Sequence, residues 1–238
     1  MLTKRQQKIL NMVIKEYIET GEPVSSQLLE KKYDFGIGSA MIRIEMQKLT
    51  DNGYLLQPHT SAGRIPTDKS YRFFVDNILE KEFPLDTEME KIDEIFSGER
   101  DVFKLVSRLT SFMAEETSSL AIFNLPGRNF MLKEGWEDLL KEAEFEEKEF
   151  LSDFVKTIET FEKRFEDLEM NSGINVFIGK ENLAPKAKNL SVISAKCKLP
   201  NKEKATLTLV GPKRMDYNRN LCVVQSLNKY LKNGERKK

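Results

Sequence analysis

Along the first half of the chain, apolar residues recur mostly at helical intervals, and in the last third they gather into short continuous runs. Ile9, Leu10, Val13, Ile14, Tyr17 and Ile18 fall on one face of a helix from Thr3 to about Glu19, a face fit to pack on a core. Thr3 and Gln6 stand in capping-box positions, where a hydroxyl and an amide each satisfy a backbone N–H that the first turn leaves without a partner. Thr20-Gly21-Glu22-Pro23 reads as a turn, and Ser25 as the cap of a short second helix carrying Leu28 and Leu29. After the link Tyr33 to Gly38, Ile42, Met46 and Leu49 mark the inner face of a third helix, with Ser39 as its cap and Gly53 just past its end. Its opposite face carries Ala40, Arg43, Gln47 and Lys48. Tyr54-Leu55-Leu56-Gln57 and Arg64-Ile65-Pro66 are short extended stretches around the polar tip His59 to Gly63. Thr67 then caps a fourth helix with Tyr71, Phe74, Val75, Ile78 and Leu79 on one side. Helices followed by a two-stranded ribbon form the winged variant of a helix-turn-helix, whose third helix fits a major groove.

Pro84 reads as the break after this module. From Asp86 to about Ser119 the period is helical again, interrupted at Ser97-Gly98, which predicts two helices that pack on each other or on a twin chain. Leu120 to Leu125 reads as a strand ended by Pro126-Gly127. Phe150 to Leu168 has helical spacing, and its stripe of Phe154, Ile158, Phe161 and Phe165 reads as core. Beyond Asn171-Ser172-Gly173 come extended segments at Ile174 to Ile178, Leu190 to Ala195 and Thr206 to Val210. A final helix near Asp216 to Leu231 carries Leu221, Val224, Leu227 and Leu231, and a disordered tail is expected after Lys232. The expected fold class is α+β: a winged helix-turn-helix with linker helix (1–83), a helical linker or dimerisation region (84–128) and a small α+β domain (129–238).

Charge changes this picture more than composition does. The net formal charge of zero conceals +3 over residues 1–75, −14 over 76–170 and +11 over 171–238. The acidic middle would repel phosphates within a Debye length of ~10 Å, so a nucleic acid does not belong there. The basic last segment could bind nucleic acid or compensate the acidic one within the protein, and compensation is the reading taken. There is no apolar run of membrane-spanning length, and MLTKRQQKIL lacks the apolar core of a signal peptide, so a cytoplasmic protein without membrane contact is expected. In that compartment Cys197 and Cys222 read as reduced thiols.

The candidate chemistry therefore lies on the third helix and the ribbon. Ser39, Ala40, Met41, Arg43, Ile44 and Gln47 would enter the major groove, with Arg43 or Gln47 reading a base edge. Lys48 adds charge, and Arg64 is assigned to the minor groove. Ser25, Ser26, Thr60 and Ser61 are candidate phosphate contacts, and His59 is expected to bond a phosphate or the turn itself. His59 is the only histidine, so neither a histidine metal cluster nor a Ser-His-Asp triad can be assembled around a second one. No phosphate loop or dinucleotide fingerprint is present, and neither a cofactor nor catalysis is expected. Lys213-Arg214 reads as a strand-to-helix corner, with anion binding as its alternative. The alternative to DNA binding is a protein-interaction module, in which the winged helix docks a partner and the acidic middle binds a basic one.

LTKRQQKIL, YIETGEPVSSQLL, GYLLQPHTSAGRIPTDKSYRFFVD and, far downstream, GPKRMDY resemble the HrcA family of bacterial heat-inducible transcription repressors. The resemblance implies a homodimer that represses chaperone genes at an inverted-repeat operator in double-stranded DNA, with the chaperonin GroEL keeping it active. It also implies a GAF-like last domain, here reduced: Leu120 to Pro126 runs almost directly into Gly127 to Leu132, segments that resemble family stretches separated by a long insert. Met41 and Ile44 stand where the family tends to have Thr and Asn, and Gly38 where it often has Ser, so a repressor with a different operator and regulon is the alternative within the family.

Overall fold

The computed structural model describes residues 2–80, 86–164, 173–182 and 184–236. The chain divides into two compact units, residues 1–80 and 81–238. The break expected at Pro84, the continuation of the phenylalanine stripe to Phe165 and the turn residues Asn171-Ser172 lie outside the described residues.

In the first unit, helices α1 (Lys4–Thr20), α2 (Ser26–Lys32) and α3 (Ser39–Asp51) are followed by strands β1 (Leu55–Leu56) and β2 (Ile65–Pro66) and helix α4 (Asp68–Leu79). The capping box forms as expected: Gln6 N–H donates to the Thr3 hydroxyl at 3.2 Å and Thr3 N–H to the Gln6 side chain at 3.0 Å. Gly21 ends α1 at φ 70°, a left-handed turn that favours glycine. Ile9, Leu10, Val13 and Ile14 from α1 and Ile42, Met46 and Leu49 from α3 are buried together with Leu29, Leu55, Tyr71 and Val75. Burying a side chain such as Leu49 is worth about 1.5–3 kcal/mol, which is how so small a module holds its helices in place.

One expected cap is corrected. Ser39 is the first residue of α3, not its cap; Gly38 holds that position with no side-chain bond. Thr67 holds the N-cap position of α4, as expected, but makes no side-chain cap bond, because its hydroxyl donates instead to the carbonyls of Gly53 and Tyr54. That bond fastens the start of α4 to the end of α3, where Gly53 turns the chain at φ 73°.

The second unit is a five-stranded antiparallel sheet in the order β4-β3-β7-β6-β5, flanked by helices. The strands are β3 (Leu120–Leu125), β4 (Phe130–Glu134), β5 (Ile174–Ile178), β6 (Leu190–Lys198) and β7 (Lys204–Pro212). Helices α5 (Asp86–Ser97) and α6 (Val102–Thr117), expected as a linker, pack on α9 (Tyr217–Arg236), while α6 also packs on β3 and α9 on β6. Leu120, Ile122, Leu190, Val192 and Val210 alternate along their strands onto one sheet face. There they meet Leu139 of α7 (Trp136–Leu139) and Phe154, Ile158 and Phe161 of α8 (Lys148–Arg164). The phenylalanine stripe is core, as its spacing indicated. Helix α9 continues to Arg236, so the expected tail after Lys232 begins as helix.

Strand β4 was not foreseen. It pairs with β3 from Leu125 opposite Phe130 to Ala121 opposite Glu134, closed by an exposed turn at Pro126–Arg128 with Asn129 at φ 50°. Within this unit the opposed charges meet. Arg214 bonds Glu142 at 2.6 Å and Glu144 at 2.6 Å, Lys186 approaches Asp153 at 3.0 Å, and Arg219 pairs with Glu88 and Glu116. The strand-to-helix corner expected at Lys213-Arg214, to be held by Tyr217 and Met215, has both of these buried, with the Tyr217 hydroxyl donating to the Lys213 carbonyl at 2.7 Å, and Arg214 braces it further through its carboxylates.

Candidate nucleic-acid interface

Three elements of the first unit converge on a groove of about 880 Å³: the start of α2, the outward face of α3 and the ribbon. Ten of the thirteen sequence-assigned residues line it: Ser25, Ser26, Ser39, Ala40, Arg43, Ile44, Gln47, Thr60, Ser61 and Arg64. Met41, Lys48 and His59 do not.

The ribbon is held to the helices by backbone. Val24, just before α2, forms an antiparallel bridge with Arg64: Val24 N–H donates to the Arg64 carbonyl at 2.9 Å, and Arg64 N–H to the Val24 carbonyl at 2.8 Å. Gly63 permits this approach, since a Cβ there would stand 2.4 Å from the Val24 carbonyl oxygen. At the tip, Gln57 Nε2 donates to the carbonyls of Thr60 at 2.9 Å and Ala62 at 3.1 Å. His59 Nδ1 lies 3.2 Å from Ser61 Oγ, the local turn bond that was one of its two expected roles.

Arg64 is where the side chain departs from expectation. It is 8% exposed, and it points back onto α3 instead of outward from the wing. Its Nη2 donates to Gln47 Oε1 at 2.8 Å and its Nε to Thr50 Oγ1 at 3.0 Å. Burial, and then the nearby charge of Arg43, bring its pKa below the usual arginine range. The bridge to Val24 fixes the backbone so that the guanidinium lies over α3, and a minor-groove role is not compatible with that geometry.

Gln47, though exposed, is occupied at both ends, because its Nε2 also donates to Asp51 Oδ1 at 2.8 Å. Lys48 is exposed and lies 2.8 Å from Glu45, whose carboxyl is held below the ordinary range by Lys48 and then Gln6, against the effect of burial. Arg43 is exposed and makes no hydrogen bond or ion pair among the described residues. Met41 is 44% and Ile44 46% exposed, both large apolar side chains in water. Ser25 caps α2, accepting from Leu28 N–H at 3.1 Å; Ser26 and Ser39 are half-buried and Ala40 is exposed.

Sequence reasoning missed Gln27 and Gln57, which also line the groove. Gln27 had a signal, since it follows the Ser25 cap in the same first turn. Gln57 had none, because its role depends on how the ribbon folds back. No group of three or more potential metal ligands exists among the described residues, and no helix among them is long and apolar enough to cross a membrane.

Comparison with known proteins supplies the family. Residues 75–221 match the model described as the HrcA protein C-terminal domain. A heat-inducible transcription repressor HrcA of Clostridium botulinum (strain Eklund 17B / Type B) is 27% identical, with 96% of each chain covered. That alignment spans 331 positions, far more than the 238 residues of this chain, so long gaps face the relative's additional residues. The protein of that name from Brevibacillus brevis is 48% identical over 97 residues, 41% of this chain and 28% of its own. A solved structure described only as a hypothetical protein superposes with a TM-score of 0.80 at 22% identity, covering 98% of this chain and 100% of its own, a likeness of fold. With the family model covering well over half of the chain, and motifs at both ends, the protein belongs to the HrcA family.

Proposed function

We propose that this protein is a transcription repressor of heat-shock genes that binds duplex DNA through the groove of its first unit. The supporting observation is the convergence of α3, the start of α2 and the ribbon on one concave face, with Arg43 uncommitted among its lining residues. Helix α3 would lie in the major groove, with Ser25, Ser26, Thr60 and Ser61 against phosphates on either side. Lys48 and His59, outside the groove, would add only charge and tip contacts.

One short helix meets few base pairs, so a homodimer on an inverted repeat is the arrangement that gives useful specificity. The family carries two further expectations for this chain: a cytoplasmic location and help from the chaperonin GroEL. The second is checked by adding purified GroEL to a repressor–duplex titration, and an unchanged affinity and active fraction would remove it. The protein-docking reading is favoured by one observation, the exposure of Met41 and Ile44.

Salt separates the two readings. Duplex affinity should fall linearly in log–log form with salt, and Arg43→Ala should reduce the slope by about one if Arg43 neutralises a phosphate, or weaken binding by about 1–3 kcal/mol if it reads a base. Binding to duplex that ignores both salt and Arg43 would count for a docking surface.

A further inference from the structure

The outward face of α3 offers unusually little polar reading chemistry. Gln47, the obvious candidate for an adenine edge, spends its carbonyl oxygen on Arg64 and its amide on Asp51. Lys48 is paired with Glu45 off the groove, and Ser39 is half-buried at the first helical position. What remains facing outward is one guanidinium, Arg43, with the exposed Ile44 next to it in the groove and the exposed Met41 outside the groove's lining. Met41 and Ile44 are three apart and share one patch, while Arg43 lies on the side of Ile44 away from Met41.

Large apolar side chains exposed at 44% and 46% are costly in water and gain when another apolar surface covers them. In the major groove the apolar surface a base pair presents is the 5-methyl group of thymine. A guanidinium beside such a contact matches the O6 and N7 acceptors of guanine, taken as a pair.

We infer that this repressor reads its half-site by methyl groups: Arg43 takes a guanine edge, and Ile44, then Met41 beyond it, cover the 5-methyl groups of thymines to one side of that guanine. Gln47 and Arg64 are positioning residues. Their bond holds the ribbon against α3 and keeps Gln47 from competing for a base. This inference rests on the DNA-binding reading above and specifies which bases that groove recognises.

The experiment removes methyl groups without altering base pairing. Duplexes are selected from a random pool with the full-length protein at moderate salt, and the enriched sequence is then remade with uracil at each thymine in turn. Each methyl covered by Met41 or Ile44 should be worth about fourfold in affinity, and the sensitive positions should lie to one side of the guanine whose loss costs most. M41T and I44N lie on the surface and leave the core intact, so each should erase the thymine–uracil difference at its own position. Equal binding of thymine and uracil duplexes would overturn the inference while leaving the repressor reading in place. Failure to enrich any duplex above the starting pool would overturn both.

Discussion

Arg64 shows how far a residue's neighbours decide its work. A lone arginine beside a wing tip reads, in one dimension, as a hand extended to DNA. In the fold its bonds to Gln47 and Thr50 make it an internal clamp. The Thr50 and Gln47 oxygens would lose a partner in Arg64→Ala, at a cost of about 1–3 kcal/mol to the first unit. Duplex affinity should fall with it, through a loosened ribbon and not through a lost phosphate contact. The check is the salt slope, which should stay at the wild-type value while affinity drops.

Glu16 makes a second residue-scale prediction. It is 1% exposed on α1 and is bonded by Lys32 Nζ at 2.7 Å and by the Tyr33 hydroxyl at 2.6 Å. Burial raises its pKa, but these two bonds and the charges of Lys32 and Lys15 outweigh that and hold it below the ordinary value of 4.5. Burial and Glu16 together push the Tyr33 hydroxyl up to about 12. A carboxylate depressed in the folded state stabilises above its unfolded pKa, and that contribution is lost as pH falls through the folded one. Thermal melts should therefore show stability declining below about pH 4.5, and Glu16→Gln should flatten that acid limb. An unchanged limb in the variant would refute the assignment. None of this was legible beforehand, because Glu16 sits among the polar positions of α1 and its partners are sixteen and seventeen residues away.

Between elements, the ribbon depends on a backbone contact more than on its own two-residue strands. A two-stranded hairpin of that size is marginal alone, and the Val24–Arg64 bridge adds a third rung. Gly63→Ala places a methyl within the Val24 carbonyl, so the bridge must open at a cost of roughly 1–3 kcal/mol. Amide hydrogen exchange at Val24 and Arg64 should accelerate in this variant, and unchanged protection there would show that the ribbon stands without the bridge. Helix periods, the Thr3–Gln6 box and the Gly53 stop made the elements themselves readable. The rung was not readable, since a glycine's near neighbours across the fold leave no mark on the pattern around it. Strand β4 escaped for a related reason. Phe130-Met131-Leu132-Lys133-Glu134 has no clean alternation, and it became a strand because the turn at Pro126–Arg128 folded it onto β3.

For the molecule as a whole, the charge segments and their mutual compensation were legible, and the individual pairs were not. A strongly basic last segment invites assignment to nucleic acid, yet Arg214, Lys186 and Arg219 are engaged with carboxylates of their own unit. Charge removal in each unit is thus the test of where DNA binds: Arg43→Ala should weaken duplex binding to the extent given above, while Lys213→Ala should leave it within about twofold. A dimer predicts twice the 27.6 kDa chain mass in light scattering at micromolar concentration, and the single-chain mass throughout would exclude it.

The β3–β4 hairpin carries a consequence for how this architecture tolerates change. Its exposed turn lies where the family resemblance puts a long insert, and strand ends that face each other as Leu125 and Phe130 do can accept or release a whole module without disturbing the ladder behind them. The turn is thus a socket. A compact foreign domain, a fluorescent reporter for instance, grafted between Gly127 and Arg128 should leave the sheet and the repressor's grip on DNA intact, which would make this turn a port for engineering.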